Sequence, residues 1–422
     1  MSSVSEYSPP AMAATAALTT RVAFATELAR RLHQYGTAAP RLEDAISSAA
    51  QRLGLRAEVW SSPTAIILSF ADQAQGEDSV AQITQVIRLA PGDVNLARLC
   101  EADAIADGVI DGRIGIEDGA RQLRTLSKPL TPAQRRGLVV GYGLSSLGFA
   151  ALIHASWADM GTATLVGLLI GMIVVATSTR PRLAPATEAI SAVVATLVAI
   201  LVSVCIRPLN VNLVVLTAVI VLVPGMMLTT AVRELSSQHL ASGVSRLFGA
   251  LAALLKLIFG VVAVVQVCAW FGVVAPHAPD VPIPSWVEWP ALVLGTFGFA
   301  MVFLAARRDW LLVALAAMLG YLVARYAGAE VGAPFGVFAG GLVLGAVSNI
   351  YARYAHRPGA LIREPGIILL VPGSVGYRTL AYLAEHNVGT GTETALLLVT
   401  LLVALVAGLL FGDLLVAPRR SL

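Results

Sequence analysis

Leu222-Val223-Pro224-Gly225 recurs as Leu370-Val371-Pro372-Gly373, 148 residues further on, each copy inside a long apolar run. Proline removes a backbone donor and clashes with the preceding helical turn, and glycine permits the bend that follows. Both runs therefore read as helices broken in the middle. In lipid, the backbone groups freed by a break are tolerated only where they face protein or water. One copy alone reads equally well as an ordinary proline kink. Two copies at matching positions point to a site.

The runs around these motifs set the fold class. The chain has 422 residues, of which 57% are hydrophobic and 13% charged, with mean hydropathy +0.76. Soluble domains carry about 25% charged residues, so a wholly soluble, disordered or fibrous chain is excluded. Several windows of 17–25 residues beyond 136 hold no Lys or Arg, enough to cross a hydrocarbon core of about 30 Å. Hydropathy predicts ten spans, at 137–156, 160–178, 188–206, 209–227, 244–274, 289–306, 309–327, 331–353, 365–384 and 394–416. The two Pro-Gly motifs fall on the fourth span of each group of five. Because five is odd, the second group enters the membrane upside down relative to the first, the layout of inverted-repeat transporters. The expected fold is an α-helical polytopic membrane protein, ten transmembrane helices as two inverted five-span repeats (137–274 and 289–416), with an N-terminal cytosolic α+β domain.

Orientation follows the Lys/Arg asymmetry. Lys128, Arg135, Arg136, Arg180, Arg182, Arg233, Arg246, Arg307, Arg308, Arg353, Arg357, Arg363, Arg419 and Arg420 fall on one side, against Arg207, Arg325 and Arg378 on the other. Both termini are thus expected in the cytoplasm, with the Pro-rich loop 275–288 outside. No secretory leader is expected, because Ala11–Leu18 is short and lacks a basic flank. Cys100, Cys205 and Cys268 form no CxxC pair and read as buried, inert thiols. The net charge of +3 is small and no basic run suggests nucleic acid.

The N-terminal part divides into a tail (1–19), an α+β domain (20–126) and a linker (127–136). Phe24, Leu28 and Leu32, then Leu42, Ile46 and Leu53, lie at helical spacing on either side of a turn at Gly36. Strands are expected near 56–61, 64–71 and 83–89, and helices from about Leu96 to Val109 and from 116 to 126. His33, Arg41 and Glu43 flank the turn. A His and a carboxylate can do acid–base work, but no nucleophile accompanies them, so a turn held by an ion pair is the plainer reading. Asp103, Asp107 and Asp111 share one helical face, read as solvated or partner-facing.

Within the spans, Pro224, Gly225, Pro372, Gly373 and Ser374 are the expected substrate contacts, with Asn349 and Arg378 along the path. Lys256, about 15 Å deeper than Arg246 by helical rise, is an intramembrane charge and a functional candidate, unless its stem snorkels. Glu188 and Asp413, near span ends, are candidate proton relays. Gln266 reads as a packing or substrate contact, and a 417–422 tail closes the chain.

The segment Leu32-His33-Gln-Tyr-Gly36-Thr-Ala-Ala-Pro-Arg41-Leu-Glu43, followed by Leu53-Gly54-Leu55 and Pro63-Thr64-Ala65, resembles the N-terminal signature of the threonine/serine exporter family. So do Val94-Asn95-Leu96, the stretch from Val223-Pro224-Gly225 to Arg233-Glu234-Leu235, and Leu370 to Ser374. The resemblance runs from about 20 to 416. It implies a bacterial inner-membrane carrier that exports small hydroxy amino acids on the proton gradient, without a cofactor and without enzymatic activity. Related systems split the halves onto two chains and are linked to dicarboxylate export. The partners implied are a small amino acid and the lipid bilayer, and a homo-oligomer is left open. A channel gated by the N-terminal domain and a membrane-bound enzyme using His33, Arg41 and Glu43 are the competing classes.

Overall fold

The computed structural model describes residues 16–75, 83–276 and 282–418. The first 15 residues of the expected tail, residues 277–281 of the loop, and Arg419 and Arg420 lie outside the described residues. Within them the protein is predominantly helical.

Residues 18–125 form one α+β unit. Helices α1 (Leu18–Gln34) and α2 (Ala39–Arg52) precede strands β1 (Leu55–Ser62), β2 (Ala65–Asp72) and β3 (Ile83–Arg88), with α3 (Leu96–Ile110) and α4 (Ile116–Thr125) after them. The strands form an antiparallel meander in the order β1-β2-β3, and the Ser62–Ala65 pair closes a hairpin over Pro63-Thr64. Strand period two puts Ile66, Leu68 and Phe70 on one face. There they join Phe24, Leu28, Leu42 and Ile46 in a single buried core. Between α1 and α2, Thr37 N–H donates to Leu32 O (3.1 Å) and Gly36 N–H to His33 O (3.1 Å), a Schellman closure. It needs the left-handed conformation that Gly36 supplies at φ +81°. The acidic row on α3 is not evenly solvated: Asp103 is buried, and only Asp111 is exposed, 2.8 Å from Arg113.

The apolar helices follow. They are α5 (Pro132–Leu152), α6 (Trp157–Ser178), α7 (Thr187–Cys205), α8 (Val211–Val219), α9 (Gly225–Ser236) and α10 (Leu240–Trp270). After the loop come α11 (Glu288–Val302), α12 (Trp310–Val331), α13 (Ala333–Ala355), α14 (Ala360–Ile367), α15 (Gly373–Ala384) and α16 (Val388–Leu415). Helix α5 starts five residues before the expected span because Thr131 and Gln134 make a capping box. Seven helices among the described residues are long and apolar enough to cross a bilayer: α6, α7, α10, α11, α12, α13 and α16. This is a multi-pass membrane protein. The expected fourth and ninth spans are each divided in two, α8/α9 and α14/α15. Of the cysteines, Cys100 is buried, Cys268 is half-buried and Cys205, at the end of α7, is exposed, so the expectation of three buried thiols holds for Cys100 alone.

Backbone detail repeats along the chain. Helices α9 and α15 are both 12 residues long and begin at the glycine of each motif. Each is followed by a left-handed non-glycine residue, Gln238 (φ 64°) and His386 (φ 61°). Earlier, α5 and α11 end at His154 (φ 54°) and Leu304 (φ 50°), with matching closures Ala155 N–H to Ala150 O and Ala305 N–H to Ala300 O, both 3.0 Å. These two helices pack through small residues. A Cβ on Gly148 would stand 2.7 Å from Gly295 Cα, and one on Gly298 would stand 2.9 Å from Gly141 O. Only glycine allows backbones so close.

Candidate functional site

Each Leu-Val-Pro-Gly motif builds the same local structure. Pro224 has φ −77°, ψ 43° and Pro372 has φ −80°, ψ 41°. Gly225 N–H donates to Val223 O (2.7 Å), and Gly373 N–H to Val371 O (2.8 Å). Both prolines thus centre an inverse γ-turn, which interrupts the helix between its two halves. Before the turns, Val223 N–H reaches Val219 O and Val371 N–H reaches Ile367 O. After them, Leu228 N–H reaches Pro224 O and Gly376 N–H reaches Pro372 O.

The two breaks meet. A Cβ on Gly225 would overlap Val371 Cγ1 and stand 3.1 Å from Gly373 Cα; a Cβ on Gly373 would stand 3.0 Å from Val223 Cγ1 and 3.2 Å from Gly225 Cα. The contact is self-complementary, since each glycine faces the other's valine and the other's backbone. Pro224, Gly225, Pro372 and Gly373 are buried, and Ser374 is partly buried on the first turn of α15. The glycines touch, so in this conformation no ligand fits directly between them.

At the end of the helices that carries the α+β unit lies a second polar region. Arg363 on α14 is 1% exposed. Its Nη2 donates to Asp413 Oδ1 (3.0 Å), Asn349 Oδ1 (3.1 Å) and Ser348 Oγ (3.3 Å). Asn349 Nδ2 in turn donates to Asp413 Oδ1 and to Val416 O, both at 2.7 Å. A charge this deep is costly unless paired and hydrogen-bonded, and here α13 and α16 supply the partners. Nearby, Glu234 at the end of α9 is 0% exposed. It accepts from Arg246 Nε (2.9 and 3.0 Å), Ser242 Oγ (2.8 Å) and the Ala39 N–H of α2 (3.0 Å).

That last bond is one of four among the described residues that dock the α+β unit. Glu43 takes the Ser61 N–H (2.7 Å) with one oxygen and faces His239 Nε2 (3.1 Å) with the other. Leu96 and Ala97, at the start of α3, donate backbone N–H groups to Phe303 O (3.0 Å) and Leu304 O (3.3 Å) at the end of α11. Orphan donors of one helix thereby satisfy orphan acceptors of another, and Leu96 and Cys100 bury against Phe299, Phe303 and Leu361 beside them. His33 is buried behind the Gly36 turn, and burial, with the Arg246 charge adding to it, holds its imidazole below the ordinary value.

The sequence-predicted residues therefore fall into groups. Pro224, Gly225, Pro372 and Gly373 come together. Asn349 and Asp413 come together with Arg363. Gly36 sets the turn, and Glu43 and Arg41 face the membrane helices across it. Lys256 does not reach a break: its stem carries the ammonium to Glu188 Oε2 (2.8 Å) and Pro185 O (3.1 Å) at the start of α7. Glu188 is thus an ion-pair partner. Arg378 and Gln266 are exposed on the outer surface of their helices. Glu234 and Arg363 were absent from the expected site. The dipeptides Arg233-Glu234 and Arg363-Glu364, each bordering a broken span, were the available signal, submerged in the count of charges that set orientation.

A model of the threonine/serine exporter family matches residues 23–268, and a second one, described as Threonine/Serine exporter, ThrE, matches residues 290–415. Among curated relatives, an uncharacterized protein of Schizosaccharomyces pombe is 23% identical over 394 residues, covering 89% of this chain and 49% of the relative. Pheromone-regulated membrane protein 10 of Candida albicans is 24% identical over 376 residues (85% of this chain, 33% of the relative). Its namesake in Yarrowia lipolytica is 24% identical over 397 residues (88% and 31%). The chain spans half or less of the length of these relatives. No solved structure matches.

Proposed function

This chain belongs to the threonine/serine exporter family, a family of exporters and not of enzymes, and from that premise we propose that it is a secondary transporter exporting small amino acids by alternating access. Its chemistry is binding and movement, driven by the proton gradient, and it uses no cofactor. Ten spans form two five-span repeats of opposite orientation, α5–α10 and α11–α16, with α8/α9 and α14/α15 each counted as one broken span. The termini and the α+β unit lie in the cytoplasm of a bacterial cell, and the loop 275–288 lies outside the inner membrane, a placement that the Lys/Arg asymmetry supports.

The observation that carries this reading is the contact of the two breaks. Identical turns, 148 residues apart, touch through Gly225 and Gly373, each glycine facing the other's valine. Self-complementary contact of this kind is the signature of a two-fold relation. Repeat-built transporters place their discontinuous helices at such an axis and rock one repeat against the other. The closed glycine contact is the seal, and the polar ends of the half-helices on either side are the two half-sites. The helix starting at Gly373, with the Ser374 hydroxyl, turns its N–H groups to a carboxylate; the carbonyls before Pro224 turn to an ammonium.

The test is transport by the purified protein in liposomes against a panel of labelled amino acids and dicarboxylates, with and without an imposed pH gradient. Saturable, gradient-dependent movement of threonine and serine supports the proposal. Preference for succinate over threonine would assign the protein to organic-acid export instead, and flux without saturation would make it a channel.

A further inference from the structure

Between the α+β unit and the membrane helices, three charged side chains converge without direct partners. Arg41 lies on the first turn of α2, two residues after Ala39, whose N–H is bonded to Glu234 Oε1. Arg233 precedes that glutamate on α9. Glu364 follows Arg363, which is fixed to Asp413 and Asn349. The Ala39 bond joins α2 to α9, α9 packs against α16, and Arg363 ties α14 to Asp413 of α16, so α2, α9 and α14 meet around one junction. The charges there act on one another: Arg41 feels the like charge of Arg233 and the opposite charges of Asp413, Glu364 and Asp103. Yet among the described residues neither Arg41, Arg233 nor Glu364 takes part in a side-chain hydrogen bond or an ion pair. All three are partly buried, and beneath them the Arg363 Nε is buried with no partner among the described residues.

The carboxylates beside them are engaged. Glu234 has four donor contacts from three groups, and Asp413 accepts from both Arg363 and Asn349. Two neighbouring guanidiniums repel unless an anion stands between them, and a half-buried carboxylate without a hydrogen-bonded partner calls for a cation. A planar guanidinium fork matches a carboxylate. Two such forks and one carboxylate present the charge pattern of a zwitterion in reverse.

We propose that Arg41, Arg233 and Glu364 form a capture site for an α-amino acid on the cytoplasmic side. Its carboxylate bridges the two guanidiniums and its ammonium meets Glu364. The site rests on the exporter reading and adds to it a role for the α+β unit: Arg41 belongs to that unit, so substrate is held between the unit and the half-helices α9 and α14 before it reaches the breaks. Arg363, Asn349 and Asp413 form the fixed floor.

The test uses the full-length protein in detergent or liposomes, with labelled L-threonine as probe and two analogues as competitors. L-threonine methyl ester lacks the carboxylate charge, and 3-hydroxybutyrate lacks the ammonium. A charged hydrogen bond lost to a bound ligand corresponds to about tenfold or more in affinity. Arg233→Gln should weaken threonine binding by about that factor while leaving the methyl ester's affinity unchanged. Glu364→Gln should abolish the preference for threonine over 3-hydroxybutyrate. Wild-type protein needs no substitution: threonine should slow phenylglyoxal modification of Arg41 and Arg233, read by mass spectrometry, and leave exposed Arg88 unaffected. If wild type carries threonine but both variants keep its half-saturation concentration and threonine protects neither arginine, the capture site is wrong and the transporter reading stands. If wild type neither binds nor carries any amino acid, the reading beneath the site falls with it.

Discussion

Replacing Gly225 by alanine adds one methyl group at the contact between the breaks. That methyl overlaps Val371 Cγ1 and comes within 3.1 Å of Gly373 Cα and 3.2 Å of Gly373 N. Carbon atoms pack best at about 3.5–4.0 Å. Val371 must leave its rotamer, at about 0.5–1.5 kcal/mol, and the Gly373 backbone must also retreat, giving a total in the overpacking range of about 1–3 kcal/mol. The equivalent change at Gly373 meets Val223 Cγ1 at 3.0 Å and the Gly225 backbone at 3.2–3.4 Å. A displacement of a few tenths of an ångström relieves it, so its cost is below about 1 kcal/mol. Thermal unfolding in detergent should therefore rank wild type, Gly373→Ala and Gly225→Ala in falling order. Adding Val371→Ala to Gly225→Ala should recover much of the loss, because the two changes share one contact. If Gly225→Ala is as stable as wild type, or if Val371→Ala adds its own loss in full, the breaks do not touch as described.

Three other substitutions separate the parts of the molecule. Glu234→Gln leaves Arg246 facing a neutral amide in a buried site, a change that costs about 3–5 kcal/mol when an ion pair loses one partner; hydrogen exchange should quicken at Ala39 and at Leu96–Ala97, and unchanged exchange there would show that Glu234 does not hold the α+β unit. Lys256→Met removes a partly exposed ion pair with Glu188, worth less than about 1 kcal/mol, so transport should stay within about twofold of wild type; abolished transport by a correctly inserted protein would return Lys256 to the substrate path. His33 is held neutral by burial, its folded value lying below the 6.5 of the unfolded chain. The unfolded state therefore gains protons first as pH falls, and stability present above about 6.5 is lost below it; His33→Gln should flatten that part of the pH–melting profile, and an unaltered profile would remove His33 as its source.

Much of the architecture was legible because its causes are local. Lys- and Arg-free apolar windows mark membrane helices by length alone, and Pro224 and Pro372 break a helix wherever they fall. The Schellman turn at Gly36 and the hairpin over Pro63-Thr64 likewise follow from residue type. The rest depends on contacts far apart in sequence. That the two motifs belong to one site was expected from their duplication; that Gly225 and Gly373 touch, leaving no gap, depends on the shapes of Val223 and Val371 across the contact. Lys256 was placed by helical rise at mid-depth, but its four-carbon stem reaches Glu188, which rise alone does not locate. Arg363 and Glu234 looked like boundary charges. Their burial comes from Asp413 and Asn349 on two other helices and from the α+β unit covering α9, none of which a linear count of charges registers.

The central claim, that two half-structures expose one amino-acid site alternately to either side, is tested most directly by counterflow. Liposomes holding the purified protein are loaded with unlabelled L-threonine, diluted into a trace of labelled L-threonine without any ion gradient, and sampled over time. Alternating access predicts a transient accumulation of label above its equilibrium level, followed by decay as the internal pool empties. A monotonic rise to equilibrium, unaffected by the internal threonine concentration, would contradict it.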